Sequence, residues 1–155
     1  SMSINTRHVL AEMAYRLGYS EQALSYLSNV DLKTAPVSLV VLWADAQLAQ
    51  KNGSAVLSTL AVLTAENANL EDAILLRLAQ AEKVKSQSTK WQEQMAKRVT
   101  LRELRQDTYH ASDLAWYYLT INRNMTKAKY WARINWQQAK LQSDKRLLEL
   151  TGLIN

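Results

Sequence analysis

The chain has 155 residues, 48% of them hydrophobic, with three Gly, one Pro and no Cys, and 19 basic against 14 acidic residues give it a net charge of +5. Gly and Pro average about 7% and 5% of ordinary proteins, so their shortage here excludes turn-rich β-sandwiches, barrels and Gly-loop nucleotide folds. The absence of Cys excludes a disulfide scaffold and thiolate metal sites. What remains is an all-α chain with short connections.

The helices follow in order. Val9, Leu10, Met13, Ala14 and Leu17 recur at helical spacing over 5–17, and Gly18 is expected to end that helix as its C-cap. Ser20 is expected to cap a second helix that turns Ala23, Leu24 and Leu27 inward. Pro36 suits the first turn of a third, which runs to about Lys51. It is apolar over most of its circumference (Val37, Val40, Val41, Trp43, Ala44, Leu48), the pattern of a helix packed on more than one side. Asn52-Gly53 stops it, and Ser54 opens a fourth carrying Leu57, Leu60, Val62 and Leu63. After the break at 67–69 a fifth helix spans 71–85. Thr89 is expected to cap a sixth, to about Arg105, and Asp107 or Thr108 a seventh with Leu114, Ala115, Trp116, Tyr118 and Leu119. An eighth covers 126–141, and Ser143 is expected to cap a short ninth through Leu150. Loops this short make consecutive helices antiparallel neighbours.

Four short–long helix pairs carry an internal period. Aligned on small residues, Ala11, Ala46, Ala79 and Ala115 are spaced 35, 33 and 36, with Gly18, Gly53, Ser86 and Asn122 at the equivalent turn. Leu10, Ala11, Ala14, Gly18, Ala23 and Leu27, with Ala35-Pro36 at the close, resemble the tetratricopeptide repeat, a helix–turn–helix unit of about 34 residues. Residues 107–148 are also similar to the C-terminal repeats of uncharacterised bacterial tetratricopeptide proteins. The resemblance covers most of the chain and is degenerate: the third unit lacks its turn Gly, and Lys127-Ala128 of the fourth is displaced by one residue. It implies one domain over 1–155, a right-handed α-solenoid of units 4–37, 38–70, 71–106 and 107–142 closed by a capping helix at 143–152. It also implies a concave groove lined by the first helix of each pair. In that register Asn5, His8, Glu12 and Tyr15 face the groove in the first unit, Val40, Trp43, Gln47 and Gln50 in the second, and Tyr109, Ser112, Trp116 and Leu119 in the fourth. Family members that clamp a peptide's terminal carboxylate use Lys and Asn at such places. His8 and Glu12 stand here instead, which fits an extended peptide or partner helix better.

No constellation for catalysis is found. His8 and Glu12 share a helix face, and Asp107, His110 and Asp113 are spaced by three, but zinc wants four ligands and two distant histidines do not supply them. A Gly-rich phosphate loop and a Gly-x-Ser-x-Gly elbow are both absent. The expectation is therefore a non-enzymatic interaction scaffold, with no cofactor and no metal, whose partner is another protein or peptide.

Charge suggests an alternative. Residues 1–76 hold four basic and seven acidic residues, residues 77–155 fifteen and seven. A basic helical module over 77–155 would bind nucleic acid, with Arg123, Lys127, Lys129, Arg133, Tyr130 and Trp136 placed to stack single-stranded bases. Five Trp and seven Tyr with no Phe favour half-exposed surfaces, since both rings carry a polar handle. The longest nearly apolar run, Val37 to Ala44, is about eight residues against the roughly 20 a membrane span needs. No signal peptide is recognised. Ser1 ahead of Met2 reads as a remnant of cloning, which leaves open whether the chain is full length or a fragment of a longer protein. A soluble domain of the bacterial cytoplasm or periplasm is expected, of unassigned oligomeric state.

Overall fold

A computed structural model of the chain describes residues 2–64 and 69–150, and the side chains of all of these except 141–149. Among the described residues it is all-α: α1 (Ile4–Arg16), α2 (Ser20–Leu27), α3 (Val37–Ala49), α4 (Gly53–Thr64), α5 (Asp72–Lys85), α6 (Lys90–Leu104), α7 (Ala111–Thr120) and α8 (Met125–Leu150). No helix among these residues is long and apolar enough to cross a membrane. The chain divides into two compact units, 1–96 and 97–155, with the division falling inside α6.

In the first unit each helix packs on its next neighbours. α1 contacts α2 and α3, α2 contacts α3, α3 contacts α4 and α5, and α4 contacts α5. Two apolar clusters result. One gathers Ala11, Ala14, Ala23, Leu27, Leu39, Leu42 and Ala46. The other gathers Val40, Ala44, Val56, Leu60, Ile74, Leu78 and Ala81. α3 supplies both, which explains its apolar circumference: opposite sides of one helix face different clusters. Trp43 packs against both. Truncating a fully buried leucine such as Leu60 removes transfer energy and leaves a cavity, at a cost of about 2–5 kcal/mol.

The join between α5 and α6 is made by a carboxylate. Glu82, 1% exposed, accepts the backbone N–H of Trp91 and of Gln92 at 3.0 Å each, and the Gln92 side-chain amide at 3.0 Å. These are first-turn donors of α6 that have no carbonyl partner within the helix. Burial by itself pushes the Glu82 carboxyl up. The bonds from Trp91, Gln92 and Ser88 outweigh it and hold the group below its ordinary value. Thr89, expected as the cap, instead donates its hydroxyl to Glu93 at 3.0 Å.

In the second unit α7 packs against α8. α7 buries Ala111, Leu114, Ala115, Tyr117 and Tyr118, and α8 buries Ala128 and Trp131. The Tyr118 hydroxyl donates to Glu103 at 2.5 Å, and Lys127 completes the group at 3.8 Å from Glu103 and 5.2 Å above the Tyr118 ring. Burial, then the bond to Glu103, raises the Tyr118 hydroxyl far above its ordinary value.

Three local expectations are corrected. Ser20 does not cap α2: it is the first helical residue and is buried, while Tyr19 precedes it without a side-chain bond. Gly53 is not a turn glycine. It is the buried first residue of α4, and a Cβ there would stand 2.6 Å from Lys85 Cγ and 3.4 Å from Ala81 O, so Gly serves a close approach to α5. The eighth and ninth helices are one, α8, running through 143 without a break. Ser and Asp cost a helix interior only a few tenths of a kcal/mol each, and no Gly or Pro stands between Met125 and Leu150 to stop it. The expected break at 67–69 lies largely outside the described residues, as does Gly152.

Candidate functional site

A cleft of about 380 Å³ opens between α1 and α3, lined by His8, Glu12, Tyr15, Arg16, Ser38, Val41, Leu42 and Asp45. Its placement follows from helical geometry. His8, Glu12 and Tyr15 recur at i, i+4 and i+7 on α1, and Ser38, Val41 and Asp45 at i, i+3 and i+7 on α3, so each set makes one stripe. His8 and Val41 are 33 residues apart, as are Glu12 and Asp45.

The floor is apolar and the rim charged. Val41, Leu42 and the Tyr15 ring rest against the two clusters. Glu12 pairs with Arg16 at 2.6 Å across one exposed turn, a contact worth a few tenths of a kcal/mol. Asp45 is held more firmly. Arg77 of α5 donates Nε to Oδ1 at 2.9 Å and Nη2 to Oδ2 at 3.1 Å, a fork-on-carboxylate geometry that fixes both side chains. Burial raises the Tyr15 hydroxyl above its ordinary value and the Asp45 charge raises it further, against a smaller opposing effect of Arg77. The Tyr15 hydroxyl therefore stays protonated and neutral at ordinary pH and keeps its donor proton.

Of the twelve residues expected to line a groove, three, His8, Glu12 and Tyr15, come together here. Asn5 lies exposed toward the start of α1, outside the lining. Trp43 is a packing residue between the clusters, and Val40 is buried in one of them. Gln47 accepts the side-chain amide of Asn52 at 3.0 Å. Gln50 lines a separate depression with Gly18, Tyr19, Ser20, Glu21, Gln22 and Ser25. Ser38, Val41 and Asp45 were missed. A 33-residue register places them, and it pairs Ala11 with Ala44 rather than Ala46. Both alanines are fully buried, so the small-residue signal alone cannot choose between them.

The remaining four expected residues belong to the second unit. Tyr109 is 89% exposed, Trp116 is half exposed and Ser112 is exposed, while Leu119 is half-buried. Beside Tyr109, Asp107 organises the turn before α7. Oδ1 accepts the N–H of Tyr109 at 2.9 Å and of His110 at 3.3 Å, and Oδ2 lies 2.9 Å from His110 Nδ1 and 3.5 Å from Arg102. Burial pushes the Asp107 carboxyl up, but the His110 and Tyr109 contacts prevail and hold it below its ordinary value. Asp107 thus closes the turn ahead of the helix rather than capping its first turn. Among the described residues, no group of three or more His, Asp or Glu is placed to hold a metal ion.

No family model matches the chain, and no curated protein or solved structure matches it either.

Proposed function

We propose that this chain is a non-catalytic protein-interaction scaffold of the tetratricopeptide-like solenoid type, and that it binds an extended peptide or partner helix in the cleft between α1 and α3. The observation that carries this reading is the cleft itself, where stripes of two helices 33 residues apart in register meet over an apolar floor with a charged rim. The packing of α1 on α3 and of α3 on α5 supports the solenoid part, because in such arrays each pair buries its apolar face against its neighbours. A peptide would bury aliphatic side chains against Val41 and the Tyr15 ring, and its backbone would find polar partners in His8, Ser38 and the Tyr15 hydroxyl. Asp45, already clamped by Arg77, presents a fixed acceptor edge without the entropy loss of ordering a free side chain.

Selection of displayed peptides on the full chain tests the proposal. Ser38 is exposed, so Ser38→Arg fills the cleft without touching the core. Enriched peptides are expected to lose at least about tenfold in affinity, roughly 1.4 kcal/mol, on Ser38→Arg and to bind Val9→Ala unchanged, since Val9 lies on α1 outside the lining. Equal binding to the Ser38→Arg chain, or no enrichment at all, would remove the cleft from the account.

A further inference from the structure

The two units differ in charge. Residues 1–96 hold eight basic and nine acidic residues, whereas residues 97–155 hold eleven basic and five acidic. Within the second unit, Glu103 is engaged by Tyr118 and Lys127, and Asp107 by Arg102 and His110. Asp113 of α7 is half-buried and has partners of its own.

From 125 to 140, α8 contains no Asp or Glu. It buries Ala128 and Trp131 and half-buries Ile134 and Gln138. Lys129, Arg133, Trp136 and Lys140 fall on the opposite side at i, i+4, i+7 and i+11, all exposed, Trp136 to 67%. At 1.5 Å per residue this stripe is about 16 Å long. A Trp left two-thirds in water between cations is poor core material and a good stacking platform. Between 125 and 140 this face carries three exposed cations and no acidic residue, a field that attracts an anionic occupant.

We propose that this face of α8 binds single-stranded nucleic acid, with Lys129, Arg133 and Lys140 on phosphates and Trp136 stacked on an unpaired base. Single strands fit better than duplex because their bases offer open π-faces to an isolated ring. A lipid surface fits less well. An interfacial helix needs a continuous apolar face, and here Arg133 at i−3 and Lys140 at i+4 flank the aromatic. Stacking is indifferent to base identity, so little sequence preference is expected.

Fluorescence anisotropy of a labelled oligothymidylate of about 20 nucleotides, titrated with the full chain across about 50–200 mM salt, provides the test. The expected affinity falls with salt at a log–log slope of about −2, three cations at about 0.7 each. The combined Lys129→Gln, Arg133→Gln, Lys140→Gln chain flattens that slope. Trp136→Ala weakens binding about five- to hundredfold at unchanged slope, and Trp136→Phe restores most of it. Ser38→Arg changes nothing, which separates this surface from the cleft. All four substituted positions are exposed, and circular dichroism verifies that the variants fold. The proposal is overturned by absence of binding at low salt, by tighter binding to a duplex of the same length, or by indifference to Trp136→Ala. Binding to phosphatidylserine vesicles without binding to the oligonucleotide overturns it as well.

Discussion

Gly18 and Lys51 occupy the same left-handed backbone region, at φ 87° and 62°, with opposite steric consequences. A Cβ at Gly18 meets nothing within 4 Å, so a substitution there costs conformational strain alone. Lys51 already carries that strain, as do Asn29 and Gln106; of the three, Asn tolerates it best. Gly18→Ala should lower stability by about 1–2 kcal/mol, and Lys51→Gly should raise it by up to about 1 kcal/mol, both read as shifts in urea midpoint at constant m-value. Loss of stability in Lys51→Gly would mean that the Lys side chain contributes more than its backbone costs. The role of Gly18 was legible because a helix stop followed by Gly is a local signal. Lys51 and Gln106 were not, since nothing in a lysine or glutamine marks a positive φ. Gly53 was legible as a special position but not for its reason. A close approach to Lys85 and Ala81 depends on a helix that begins nineteen residues further along the chain.

At the scale of helices, the joins depend on side chains from neighbouring elements. α6 takes its N-terminal acceptors from Glu82 of α5, a residue that reads in the sequence as one more surface charge on a helix ending in Lys83 and Lys85. Because the folded Glu82 carboxyl lies below its ordinary value, its contribution is fully present above the unfolded value of about 4.3 and fades as pH falls through the folded one. Glu82→Gln should cost about 1–3 kcal/mol at neutral pH by leaving buried donors poorly matched. It should also reduce the loss of stability between neutral pH and about pH 4, measured as urea midpoint against pH. Parallel pH profiles for the two chains would show that the carboxylate does not titrate with folding. Helix existence was legible throughout, because strong 3.6-residue periodicity and scarce Gly and Pro leave few other options. Helix partition was less so. Ser143-Asp144 looked like a start signal, yet capping preference is a weak competitor once a helix is already propagating.

At the scale of the molecule, two surfaces of different chemistry lie in different units, a cleft with paired charges in 1–96 and an exposed cationic–aromatic stripe in 97–155. The charge asymmetry was legible from composition, and the helical register of α8 shows which three of those cations share one exposed face with Trp136. The cleft was half legible. The α1 stripe of His8, Glu12 and Tyr15 followed from repeat register, while the α3 stripe depended on choosing Ala44 over Ala46, two buried alanines one strip apart on the same helix. That choice turns α3 through two residues, about 200° at 3.6 residues per turn, and exchanges Ser38, Val41 and Asp45 for Val40, Trp43 and Gln47. The central claim, that the α1–α3 cleft is where this protein meets its partner, is tested most directly by amide chemical-shift mapping of the isotope-labelled chain with a display-selected peptide. The largest shifts are expected to cluster at His8, Glu12, Tyr15, Ser38, Val41 and Asp45 and to disappear in Ser38→Arg. Shifts centred elsewhere, or surviving that substitution, would contradict it.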